Sequence, residues 1–131
     1  MIAFLLITMV SSAKYEDKEE TCLTLASRSV KERETEISEH IRNYPDLTEK
    51  EFSSKIVEDS YNYCMKTITI KEITSLGGIA QRPFRTYSHL VRAPLDGYTS
   101  IDQLQVSKHF SEYRIEISKR IAMNSMRGPN L

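Results

Sequence analysis

Leu23, Ala26, Val30, Ile37, Ile41 and Tyr44 recur at intervals of three, four and seven, the spacing that lines one side of an α-helix. The pattern predicts a first helix over about 19–43. Between the apolar positions lies "KERETE", Lys31 to Glu36, a solvated outer face. Arg33 interrupts the stripe, so the middle of this helix is weakly apolar. Glu16, Asp17, Glu19 and Glu20 crowd its start, where the helix dipole favours negative charge.

The stretch "YPDLTEKEF" ends that helix and begins another. Pro45 cannot continue a helix and drives Tyr44 towards an extended conformation. Thr48 and Glu51 have the spacing of a capping box, and Leu47 and Phe52 that of a hydrophobic staple. A second helix over about 48–76 follows, with Phe52, Ile56, Tyr63 and Cys64 on its inner face. Ile68, Ile70 and Ile73 extend the pattern, although "TITIKEIT" also alternates as a strand does. Leu76-Gly77-Gly78 suits a helix C-terminus. Ser100 and Gln103 form a second capping-box pattern, followed by the stripe Leu104, Val106, Phe110, Tyr113, Ile117 and Ile121. A third helix is expected over about 101–125, fading before Gly128-Pro129, with Ile115 off its stripe.

These elements predict an all-α fold: an antiparallel helical hairpin joined by a short loop, plus a third long helix. Residues 14–131 form one small helical domain. The segment 77–99 is an irregular connector broken by Pro83, Pro94 and Asp96-Gly97, long enough that structure or function of its own is expected.

Near its start the chain has a nine-residue apolar run, Ile2–Val10, interrupted by Thr8 alone and followed by Ser11 and Ala13. The run is too short to span a bilayer and matches the apolar core of a secretory signal with cleavage after Ala13, although no Lys or Arg precedes it. An uncleaved anchor and a buried N-terminal element are the other readings. No other apolar run is long enough to span a membrane, so the chain is expected to be secreted or lumenal, with no transmembrane helix after cleavage.

That compartment changes how Cys22 and Cys64 are read: as a disulfide, with two buried free thiols as the other reading, rather than a zinc site or a reactive thiol. A closure of this length is worth about 4 kcal/mol in the chain-entropy model. Ideal straight helices folded about residue 46 would leave Cys64 some 8 Å from the level of Cys22, an offset that tilt or an early end to the first helix must absorb.

Composition is that of a folded domain, with 40% hydrophobic and 27% charged residues. The net charge of zero hides a split. Residues 14–65 hold 13 acidic and 8 basic residues, whereas 66–131 hold 5 and 10. The halves either complement each other or present a basic patch to an anionic partner. His40, His89 and His109 fall in no metal-ligand spacing, and nucleophile-elbow, phosphate-loop and dinucleotide motifs are absent from the sequence. No cofactor and no catalytic residue are therefore expected.

The candidate site is the connector. Arg82, Phe84, Arg85, Tyr87, His89 and Arg92 interleave cations with rings, a composition suited to anionic groups or acidic lipid surfaces. In the other reading, Phe84, Tyr87 and Leu90 pin the connector to the hairpin. Nucleic acid is not an expected partner for an exported chain. The function expected is that of a small helical binding protein whose partner is a protein, an anionic surface or lipid. A helical hairpin tied by cysteines also resembles saposin-like proteins, which implies lipid binding or membrane activity as the alternative; an enzyme of unassigned reaction is the third reading. Those proteins use six cysteines where this chain has two.

Overall fold

The expected first helix forms in two pieces, and the break falls at the residue that interrupts its stripe. The computed structural model describes residues 18–76 and 82–127, with side chains as far as Met123 in the last helix. The run Ile2–Val10, the cleavage expected after Ala13 and the Gly77-Gly78 stop lie outside the described residues. Helix α1 covers 18–32 and α2 covers Glu34–Asn43, separated by a turn at Arg33. The second expected helix divides into α3 (Glu49–Thr67) and α4 (Ile70–Leu76). The connector folds as a short helix, α5 (Phe84–Tyr87), and a 3₁₀ turn, Ser88–Leu90. A second 3₁₀ turn, Ile101–Leu104, precedes α6 (Lys108–Arg127). The fold is all-α, and no strand occurs among the described residues.

Local sequence explains most boundaries. Thr48 is extended, and its Oγ1 accepts from Glu51 N at 3.4 Å, the N-cap half of the expected capping box, which starts α3. The break between α3 and α4 has the same cause. Thr69 and Glu72 form a further T-x-x-E box: Thr69 Oγ1 accepts from Glu72 N, and Glu72 Oε1 accepts from Thr69 N, both at 3.1 Å. Ile68 is extended at the junction and 95% buried, so it enters the core as a linker rather than as a helical position.

The third helix begins later than its capping box suggests. Gln103 Oε1 accepts from Ser100 N at 3.0 Å and Thr99 N at 2.6 Å, but the turn it stabilises ends at Leu104. Gln105 is extended, and α6 starts from Ser107, whose Oγ accepts from Phe110 N at 3.1 Å. Ser107 N in turn donates to Glu58 Oε2 at 3.0 Å, and Lys55 Nζ lies 2.7 Å from Glu58 Oε1. The buried Glu58 of α3 thus fixes where α6 begins.

Cys22 and Cys64 are bonded, with Cα atoms 5.5 Å apart and no exposed surface on either residue. The turn at Arg33 releases α1 from the register imposed by the α2–α3 loop and accommodates the offset expected of straight helices. Around the cystine pack Leu23, Leu25, Val57, Tyr61, Tyr87 and Phe110. Leu25 lies off the apolar stripe yet is fully buried, because α1 has neighbours on several sides. The inner face of α3 includes Tyr61, whose ring lies tilted against Phe110 at 5.3 Å, while the expected Tyr63 is only half-buried. A second cluster gathers Leu47, Phe52, Ile56, Ala93 and Leu104 near the hairpin loop. There His40 Nε2 lies 2.6 Å from Tyr98 O, so the imidazole donates.

Two expectations follow. Replacing both cysteines by alanine should lower unfolding stability in urea by about 4 kcal/mol, with far-UV circular dichroism still helical under native conditions. Burial pushes the Glu58 carboxyl up, but hydrogen bonds from Lys55 and Ser107 outweigh it and hold the group below its ordinary value. Its contribution is therefore complete above the ordinary carboxylate range and is lost as the pH falls through the depressed folded value. The melting-temperature gap between wild type and Glu58→Gln should be widest near neutrality and close on acidification.

Candidate functional site

The connector has an inner and an outer side, and the candidate residues divide between them. Leu90, Val91 and Ala93 are buried, and Tyr87 has no exposed surface. Phe84 meets the Tyr87 ring edge-on at 5.4 Å and is half-buried. Burial pushes the Tyr87 phenol up. Its oxygen has no hydrogen-bond partner among the described residues. Tyr87 is therefore a core residue of this segment and is not available on the surface.

Two arginines of the first helix pair fasten the connector. Arg28 Nη2 donates to Arg82 O at 2.9 Å, and its guanidinium lies 5.2 Å from the Tyr87 ring centre, within cation–π range. Arg33 Nη1 donates to Ala93 O at 2.8 Å, while its Nε donates to Glu36 Oε2 at 3.3 Å. The cation that weakens the first helical stripe thus satisfies a connector carbonyl 60 residues away.

On the outer side the six candidates do not form one patch. His89 Nε2 stands 3.2 Å from Glu72 Oε2, on the α4 flank. Burial pushes Glu72 up, but hydrogen bonds from Thr69 and His89 more than offset this and hold its carboxyl below the usual value. Arg82 leans the same way, donating to Ser75 O at 3.2 Å. Arg85 is exposed. Phe84 and Arg92 border a surface hollow of about 510 Å³ together with Arg33, Ser88, Val91 and Pro94.

The hollow sets the exposed Arg92 beside an aromatic and aliphatic wall, with the Arg33 guanidinium at its border held by Ala93 O and Glu36. Such a surface suits an anionic group carried on an apolar body. Arg33 was not among the candidates; its position out of phase with the apolar stripe was the available signal. Among the described residues, no group of three or more His, Cys, Asp or Glu side chains is placed to hold a metal ion. No helix among them is long and apolar enough to cross a membrane. The chain matches no protein-family model, no curated protein and no solved structure.

Arg33→Met keeps the aliphatic stem and removes the donors. It should cost about 2 kcal/mol of stability, the range for a hydrogen bond made by a charged group. Amide hydrogen exchange should accelerate through 88–95 before it does in α3.

Proposed function

We propose that this chain is a small secreted or lumenal binding protein that meets an anionic surface through the outer side of its connector. The supporting observation is the division of labour in 82–93. Its apolar side chains and backbone are held by the helices, while Arg85 and Arg92 face solvent from a fixed base. A preordered cationic segment loses less conformational freedom on binding than a mobile one. The buried cystine and the apolar run Ile2–Val10 are both compatible with an oxidising compartment.

The saposin-like alternative requires helical stripes that wrap lipid. Here Leu23, Val57, Phe110 and Ile117 pack against one another in a single cluster, which favours the binding reading.

Wild-type protein should be retained on heparin and should sediment with vesicles containing phosphatidylserine, and added salt should release it. Arg82→Ser, Arg85→Ser and Arg92→Ser combined should cut retention about tenfold or more without lowering the melting temperature by more than a few degrees. Equal retention of the triple variant would discard the connector as the binding face. Co-purification of one lipid per chain would favour the saposin-like alternative.

A further inference from the structure

Helix α6 carries a second stripe that no other described residue covers. Its inner stripe, Phe110, Tyr113, Ile117 and Ile121, packs on the core. On the outer flank, Ser111, Ile115, Ser118 and Ala122 follow at intervals of four, three and four. That is the a/d spacing of a seam packed against one further helix. All four positions are exposed, and Ile115 retains 58% of its surface.

The four line a hollow of about 560 Å³ with Arg114 and Lys119. A second hollow shares Ser118 and Ala122 and runs between α6 and α1, where Leu23 and Ile121 form its floor. Small side chains at three of the four seam positions allow a helix axis to approach closely. From Ser111 to Ala122 the seam is about 16 Å long at 1.5 Å rise per residue, room for roughly three turns of a partner.

Charge identifies the occupant. With Ile115 and Ala122 at a, and Ser111 and Ser118 at d, Arg114 falls at g and Lys119 at e, the positions that select partners in helix pairs. No carboxylate lines either hollow among the described residues. Glu112, at the e position before them, lies 4.0 Å from Lys108 and Glu116 lies off the seam. Parallel pairing with a second copy would set Arg114 against Lys119.

We propose that the outer face of α6 docks a short acidic amphipathic helix of a partner protein, with apolar residues on the seam and carboxylates opposite Arg114 and Lys119. This surface uses none of Arg82, Arg85 or Arg92, so loss of heparin binding by the connector variant leaves it standing.

The probe is a synthetic 18-residue helical peptide with Leu at a and d and Glu at e and g, compared with a scrambled peptide of the same composition. Titrated into ¹⁵N-labelled protein, the helical peptide should shift the amides of Thr24, Ser27, Ser111, Ser118 and Ala122. Arg114→Glu with Lys119→Glu should weaken it about tenfold or more, and a peptide with Lys at e and g should bind this variant better than wild type. The assignment is overturned by equal binding of the scrambled peptide, by no binding, by an affinity unmoved by the charge reversal, or by shifts confined to the connector. It is also overturned if sedimentation shows a dimer that Ile115→Glu converts to monomer, because a second copy then fills the seam.

Discussion

Helix α1 has almost no free side, and the rest of the molecule is arranged around that constraint. Of its described positions only Ser27, Lys31 and Glu32 are exposed. Cys22 joins it to α3, Arg28 reaches the connector, and Glu19 receives Arg120 of α6 at 3.2 Å. A helix buried on several sides places its polar groups away from water: Arg28 ends on a carbonyl and a ring and Glu19 Oε1 on an opposite charge, while Glu19 Oε2 and Ser29 Oγ are buried without a hydrogen-bond partner among the described residues. The amphipathic pattern of a two-helix hairpin would cover only one face of α1. The connector and α6 cover much of the remainder.

The connector is therefore structural before it is anything else. Its basic and aromatic composition reads as a recognition surface, but its rings and arginines have different fates. Tyr87 fills the interior beneath the Arg28 guanidinium, His89 faces Glu72, and Arg92 stands beside a hollow bordered by Arg33. Binding at this surface would act on a segment already fixed at Arg82 O and Ala93 O, so a ligand there would couple to the packing of α1.

The elements that were legible in the sequence are those set by neighbours in sequence. The Thr48 cap and the stripes of α1 and α6 follow from spacing, and the pairing of two cysteines from their even number and the expected compartment. Thr69–Glu72 carries an equally local signal, but it sits within a run of isoleucines that reads as continuous helix or strand. The start of α6 was not legible, because Glu58 dictates it from 49 residues away. Ile115 stood out as a misfit to the inner stripe. Its exposure on α6 places it in a second stripe, and Arg33, a misfit of the same kind, closes a contact with the connector.

The cystine has one further consequence. Both sulfurs lie where no reductant can touch them in the folded state, and thiol–disulfide exchange requires direct approach of a thiolate to sulfur. Reduction must therefore wait until side chains packed around the bond, Tyr87 and Phe110 among them, move aside. The rate at which a mild thiol cleaves the bond in native buffer then acts as a clock for how often the centre of this molecule opens.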